Sequence, residues 1–565
     1  MSLFGSIQLG ANSLRADQVA MQVVGQNIAN ASTPGYIREE AVLTPASGQR
    51  IGNYVLGLGV EVEAIVQKID KFLEERLRGA VSDSSSAEAQ QNTYTQLEQL
   101  IGGLNDTGVG ATMTKFFDSI SLVLNQPEDV SARNQVILDA GTLTQQINTL
   151  ASGVKQVRAD VNTQVESIAG EINQLTKQIS SLNAQIMQTE ASAGVKSDAV
   201  GLRDQRQVAL ESLAKLVKIR VKEHDTGSVA VYVGSDFLVN DGITKQVWAA
   251  PATNRGMLVA DIRFVDTDSP LETSAGELHG LLTARDDVLG GFLENLDDFA
   301  GTLAFEFNKI FASGQGLRGY DSLTSQSLVT APDAPLDEAG LKFTPVNGSF
   351  QLLVYDTKTK TTRSVDIPVH LLGDSSDTTL QSLADTIDKI SPLSATATPD
   401  GRLSIASLSG TDQFAFANDT SGLLAALGVN TLFTGSTASD LGVNQAIASD
   451  PAKFAASTGG IGVDSNNAVK LAQFIDQPIA SHNDESITTI FDRIVARVTQ
   501  DSAVTKSNVE ATKTFEQTLR SQELAISGVS IDEEAINMLT IQKAYQASAR
   551  FIATIKDLLD TLMQI

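Results

Sequence analysis

The stretch from Ile531 to Leu562, IDEEAINMLTIQKAYQASARFIATIKDLLDTL, spaces Ile531, Met538, Tyr545, Ile552 and Leu559 seven residues apart, with Ile541, Ile555 and Leu562 on the neighbouring line. Heptad spacing of this kind marks an amphipathic helix whose apolar seam wants a partner helix. The opposite end of the chain repeats the pattern. Ile7, Leu14, Met21 and Ile28 fall seven apart, and Leu3 and Val24 fill the intermediate position. Domain termini are usually frayed and polar, so a chain with coiled-coil stripes at both ends is built to pair them, with each other or with neighbouring molecules. Short helices are marginal in water on their own, and both ends are expected to be disordered in the free chain and to order on assembly.

Moving inward, the first helix is expected from about Ser2 to Asn30, with a hard stop at Thr33-Pro34-Gly35-Tyr36. Pro34 suits the second position of a turn, and Gly35 can take positive φ at the third. Short strands follow around Val60, Val62 and Ala64, then a helix from near Asp70. From Leu143 to Ile186, thirteen apolar residues recur with a mean step of about 3.6 residues, which predicts a nearly straight helix of roughly 66 Å at 1.5 Å per residue. Ala193-Gly194 is expected to end it, with a shorter helix through Leu202, Leu210, Leu213 and Leu216 folding back.

Period-two alternation over about residues 217–265 reads as a β-hairpin. A helix from about Gly276 to Phe311 comes next, then a compact α+β segment from about Leu341 to Gly435, and a polar helix from about Ser486 to Glu523 that breaks at Ser527-Gly528. The fold class is α+β, multidomain and elongated. Paired terminal helices are expected from residues 1–40 and 525–565, a helical rod domain from 41–311 and 481–524 with the hairpin inserted, and an outer variable domain from 312–480.

The chain has 565 residues, formal net charge −26 and no cysteine. Acidity of this size argues against nucleic acid and anionic membrane surfaces as partners. Without cysteine there are no disulfides, thiolate metal sites or cysteine nucleophile. No signal peptide and no span of about 18 apolar residues is legible, so export would use another route and membrane insertion is not expected.

Signals for catalysis are weak. His224, His279, His370 and His482 lack ligand spacing, and Gly314, Gly316 and Gly319 form a GxGxxG that follows a helix rather than a strand. The pairs Asp286-Asp287 and Asp297-Asp298 read as a solvated helix face. No catalytic, cofactor or metal residues are assigned, and the chain is read as a non-enzyme.

Two motifs carry a resemblance. Asn27-Ile28-Ala29-Asn30-Ala31-Ser32-Thr33-Pro34-Gly35-Tyr36 resembles the N-terminal signature of bacterial flagellar axial proteins. Ser527-Gly528-Val529-Ser530-Ile531-Asp532-Glu533-Glu534-Ala535 and Gln542-Lys543-Ala544-Tyr545-Gln546-Ala547-Ser548-Ala549-Arg550 are similar to the matching C-terminal signature. Within that group, the C-terminal motif, Leu202-Arg203-Asp204-Gln205-Arg206, and Gly276 to Leu282 resemble the FlgK family of hook-associated proteins. The resemblance implies a structural subunit at the junction of hook and filament, extracellular and exported by the flagellar type III apparatus. Implied partners are neighbouring copies, the hook protein, the filament-side hook-associated protein and a cytoplasmic export chaperone holding the C-terminal stripe. A hook protein or filament-side junction protein stays open as an alternative, and more remotely an axial protein carrying a secreted hydrolase or binding module. Assembly residues would be Leu3, Ile7, Leu14, Met21, Val24, Ile28, Asn30, Pro34, Gly35 and Tyr36 at one end. At the other they would be Ile531, Met538, Ile541, Tyr545, Ile552, Ile555, Leu559 and Leu562.

Overall fold

The N-terminal helix runs Leu3–Asn30 and the C-terminal helix Ile531–Met563, the latter separated by a short break from a helix at Ile487–Ser527. The computed structural model describes residues 3–51, 54–102, 108–192 and 199–563. It divides into two units, one of residues 1–93, 160–286 and 503–565, the other of 94–159 and 287–502. The three-part division expected from the sequence follows composition, whereas these units follow packing. Their borders therefore fall inside the helices Lys71–Gly102, Val130–Ser192 and Ile487–Ser527.

The long helix is longer than its expected 44 residues, spanning Val130–Ser192. Val136 and Ala140, both fully buried, extend the Leu143 stripe toward the N-terminus in steps of four and three, but exposed Leu138 blurs that pattern in the sequence. The expected stop at Ala193-Gly194 lies outside the described residues.

In the first unit this helix turns Val161, Val165, Ile168, Ile172, Ile179, Leu182 and Ile186 inward, each at most 5% exposed. Three asparagines interrupt its polar face and bond strand backbones. Asn162 Oδ1 accepts from Ala260 N at 2.8 Å. Asn173 donates to Val247 O at 2.7 Å and accepts from Val247 N at 2.9 Å. Asn183 does the same at Val229, at 2.8 and 3.1 Å. Buried peptide groups must find partners, and these side chains supply them.

The segment expected to form one hairpin over about 217–265 holds more strands. A four-stranded antiparallel sheet is made of Ile219–Glu223, Val229–Val233, Asp236–Asn240 and Ile243–Thr244, and Val247–Asn254 pairs separately with Met257–Phe264. Alternation reports strand character but not strand number. The overlooked signals are Asp241-Gly242 and Arg255-Gly256, whose paired positive φ values close two-residue turns.

The helix expected from Gly276 to Phe311 contains a π-turn, Ala284–Leu289, between Glu277–Thr283 and Gly290–Ala312. Such a turn adds a residue to the helical repeat. Here Arg285, 1% exposed, meets Ala260 O at 2.6 Å, Asn162 Oδ1 at 3.0 Å and the Asp286 carboxylate at 2.7 Å.

The second unit is centred on phenylalanines. Phe116 lies 4.9 to 5.5 Å from Phe117, Phe307 and Phe433, ring centre to ring centre, and Phe454 packs edge-on to Phe311. Strand Gly348–Asp356 is flanked by Thr361–Val369 and Asp412–Ala417, and strand Leu403–Ser407 by Ser322–Thr324 and Leu393–Ala397. The helix Leu380–Asp388 opens with a capping box between Thr379 and Ser382. Strands 322–324 and 393–397 were not expected from the sequence; the first has three residues and the second, Leu-Ser-Ala-Thr-Ala, carries only one large apolar side chain.

Candidate assembly interface

The two terminal helices pack antiparallel. Gly10 lies against Ile552, Asp17 against Ser548 at 3.5 Å, and Asn27 against Glu534 at 3.1 Å. A Cβ at Gly10 would stand 2.6 Å from Ile552 Cγ1, so glycine permits the close approach. The most buried residues of the N-terminal helix are Gly10, Ala16, Val23, Val24 and Asn27. Leu3, Ile7, Leu14, Met21 and Ile28 are half-buried along the flanks of this line. The sequence put the large residues at the centre of the seam; the structure puts small ones there, because small residues let the helices come close.

On the C-terminal helix, Met538, Ile541, Ile552 and Leu559 are half-buried and Ile555 is 8% exposed. Tyr545 sits at the seam edge with 36% exposure, while Ile531 is 56% exposed. Ile531 starts the helix just beyond the point where its partner has ended, so it departs from the expected line. The side chain of Leu562 lies outside the described residues.

A polar latch closes this seam at one end. Asn27, fully buried, donates to Glu39 O at 3.0 Å and Glu534 Oε2 at 3.1 Å, and accepts from Glu39 N and Tyr36 Oη, both at 2.9 Å. Those bonds use all four of its positions. Glu534, 1% exposed, takes Arg38 Nη2 at 2.6 Å, and Glu533 takes Nη1 at 3.0 Å. The backbone of Arg38 donates to Ser527 O at 2.8 Å. Charge-assisted bonds of this kind are about twice as strong as neutral ones.

The turn at Thr33 to Tyr36 delivers these residues. Tyr36 N bonds Thr33 O at 3.2 Å, and Gly35 takes φ of 76°, the left-handed value that the third turn position requires. A Cβ at Gly35 would also strike Val208 at 2.4 Å. Pro34 is exposed, Tyr36 is half-buried, and Asn30 bonds Gln26 O and Thr33 Oγ1 within the turn.

The segment after the turn is held from its other side by Arg203 to Arg206. Asp204 Oδ1 accepts from Gln67 Nε2 at 2.5 Å and also bonds the backbone of Ile37. Burial pushes the Asp204 carboxyl up to about 6, with Glu39 adding to the rise and the Gln67 bond opposing it. Burial likewise pushes Glu39 and the Tyr36 phenol up. Arg203 pairs with Glu190 at 2.9 Å and Glu223 at 2.5 Å, and Arg206 reaches Asn183 Oδ1 and Gly227 O at 2.9 and 2.7 Å. Nearby, Glu74 meets Arg78 and Gln207, and burial lifts it to about 7 against the pull of Arg78.

The residues weighed for catalysis do not converge. Asp298 accepts from His482 Nε2 at 3.0 Å, and Thr302 Oγ1 lies 3.3 Å from the same nitrogen; Asp297 caps Ala438 N; and Asp286 pairs with Arg285. Three of those four aspartates are therefore engaged, not merely solvated: Asp297 and Asp298 by partners distant in sequence that fold onto their helix, and Asp286 by its neighbour Arg285. His279 bonds Ser86 at 3.2 Å. Among the described residues no helix is long and apolar enough to cross a membrane, and no cluster of His, Asp or Glu is placed to hold a metal ion.

The comparisons with known proteins fall on the same segments. Residues 94–324 match the family described as the flagellar hook-associated protein FlgK helical domain. The ends match two others: residues 7–36 the flagella basal body rod protein family, and 520–565 the C-terminal family of basal body rod FlgEFG proteins. Flagellar hook-associated protein 1 of Salmonella typhimurium is 25% identical over 569 residues, covering 98% of each chain. That of Escherichia coli is 24% identical over 574 residues with the same coverage. The chain is thus similar to hook-associated protein 1 over nearly its whole length and matches the FlgK helical-domain family over residues 94–324. A solved structure, the flagellar hook junction protein FlgK from Burkholderia pseudomallei, is similar with a TM-score of 0.48 at 16% identity, over 80% of this chain and 100% of that one.

The two end families fall on the helices that the structure pairs. Apolar surface remains on that pair: Ile536, Leu539, Phe551 and Leu558 are 41 to 64% exposed. Sequence reasoning missed Asn27, Arg38, Glu39 and Glu534 as a unit. Glu534 lies seven residues before Ile541, on the second line of the seam, and a carboxylate at a seam position was the signal available.

Proposed function

We propose that this chain is a structural subunit of the bacterial flagellum, forming the junction between hook and filament by helical self-assembly through its paired terminal helices. The observation that carries the reading is similarity to hook-associated protein 1 over 98% of both chains, together with terminal helices that pair while leaving apolar faces exposed. A heterologous contact repeated around an axis builds an open tube rather than a closed oligomer. Burying the remaining exposed half of half-buried Ile, Leu and Met side chains, at about 1 kcal/mol each, would drive it.

In this reading the subunit contacts copies of itself, the hook protein on one side and the filament-side hook-associated protein on the other. It works outside the cell, without catalysis, cofactor or metal. It leaves by the flagellar type III apparatus, and a cytoplasmic chaperone covers the C-terminal stripe beforehand, because a bare apolar face invites aggregation. The test is electron microscopy with antibody against the chain on isolated flagella. Label confined to a band between hook and filament is expected; label along the hook or the filament would overturn the reading.

A further inference from the structure

Strand Tyr54–Leu56 is exposed along its whole length, with Tyr54 at 77%, Val55 at 71% and Leu56 at 37%. Among the described residues it pairs with Gln49–Ile51 alone, as an antiparallel ribbon, and a two-stranded ribbon is marginal in water unless something covers it. The N-terminal helix carries this ribbon. Asn12 Nδ2 donates to Leu58 O at 2.9 Å, and a Cβ at Gly59 would stand 3.0 Å from Leu9 O. From Ala41 to Val60 the sequence holds Arg50 and no acidic residue, in a chain of net charge −26.

Further along the same helix a cavity of about 330 Å³ opens, lined by Val23, Val24, Leu43 and Ile541. Its charged lining residues are Glu39, Glu40 and Glu534 against Arg38 and Lys68, a net acidic set. Eleven residues of rigid helix separate Asn12 from Val23, roughly 16 Å at 1.5 Å per residue. The projection and the hollow of one copy therefore lie apart on a single rod.

We propose that the Tyr54–Leu56 ribbon of one copy inserts into this cavity of the next, an inference that rests on the self-assembly reading above. An open polymer of one chain needs two different, complementary surfaces on each copy. An exposed aromatic projection and a hollow large enough for a phenol ring, with Val23, Val24, Leu43 and Ile541 forming its apolar part, make such a pair, and aromatic residues seated in pockets are typical interface anchors. Charge selects the pairing. Copies this acidic repel one another, and the acid-free ribbon with Arg50 entering an acidic hollow replaces repulsion with attraction.

The absence of cysteine makes a clean test possible. The chain with Tyr54→Cys and Thr540→Cys, Thr540 also lining the cavity, replaces the native one in motile cells, and sheared flagella are oxidised. A ladder of dimers, trimers and larger species on a non-reducing gel is expected, and a mixture of the two single variants should give dimers containing one of each. A double variant that is seated at the hook end but stays monomeric, or forms its bond within one chain, overturns the docking and leaves the junction role standing. Native chain found elsewhere than the hook end overturns the junction role whatever the gel shows. Tyr54→Asp should cut incorporation at least tenfold with an unchanged melting temperature of the free chain; undiminished incorporation also overturns the docking.

Discussion

The side-chain amide of Asn27 donates to the carboxylate of Glu534 at 3.1 Å, across 507 residues of sequence, and both groups are buried. Arg38 completes the arrangement from the segment that follows the N-terminal helix. Glu534→Ala would take one partner from the arginine and one from the amide, leaving them Glu533 and Glu39 O. Breaking a fully buried pair costs about 3–5 kcal/mol; Arg38 keeps 16% exposure and a second partner in Glu533, so about 2 kcal/mol is expected. In assembled particles, amide exchange across both terminal helices should quicken roughly 30-fold, with a smaller effect for Glu534→Gln. Unchanged exchange would remove the latch from the account.

Gly10→Val should destabilise the helix pair by about 1–3 kcal/mol, the usual cost of overpacking, because the new Cβ lands 2.6 Å from Ile552 Cγ1. Ile552→Ala in the same chain should recover most of that loss. A double-mutant cycle on the dissociation temperature of assembled particles measures the coupling, and simple additivity would mean that the two residues do not touch.

Stability of the first unit should rise as pH falls from about 8 to 5. Asp204 and Glu74 hold their protons more tightly when folded, near 6 and 7 against 3.8 and 4.5. Their contribution is full below about pH 4 and is lost as pH rises through 6 to 7. Asp204→Asn should flatten this slope and stabilise the unit at pH 8, on the order of 1–2 kcal/mol after allowance for partial exposure. The turn carboxylates Asp440 and Asp464 of the second unit go the other way, held down by hydrogen bonds that outweigh their burial. Their contribution is present above about pH 4 and fades below it. Denaturant titrations across pH, with one fluorescent probe per unit, would check both signs; parallel curves would contradict them.

In the free chain, the terminal helices should exchange amide protons far faster than the Val130–Ser192 helix, since most of their large apolar residues are only half covered and local opening is easy. Protection should appear on assembly. Strong protection of residues 3–28 or 531–562 in the free chain would count against ordering on assembly. Ile541, Ile552 and Leu559 all changed to Asp should abolish both incorporation and chaperone binding, and normal assembly of that variant would refute their role.

Much of the architecture was legible because it is written in periodicity. The stripes at both ends, the Leu143 to Ile186 rod and the Pro34-Gly35 turn are local patterns, and local patterns survive reading one residue at a time. The strand count after Val217 was not, because alternation repeats identically in every strand and turns such as Asp241-Gly242 and Arg255-Gly256 mark where one ends. The helix-borne asparagines at 162, 173 and 183 were also hidden. An asparagine in a helix reads as surface until the strand edge it bonds is brought beside it.

By itself, the sequence determined that both ends are helical, where the first helix stops and the last one starts, and that each carries a face needing a partner, since side-chain spacing and turn chemistry act over a few residues. Only the tertiary structure decided which residues form the centre of the seam and what locks it. Gly10 matters because Ile552 arrives against it, and Asn27 and Glu534 become one site because the chain folds back across its whole length. Close approach and burial depend on what stands opposite, which no local pattern records.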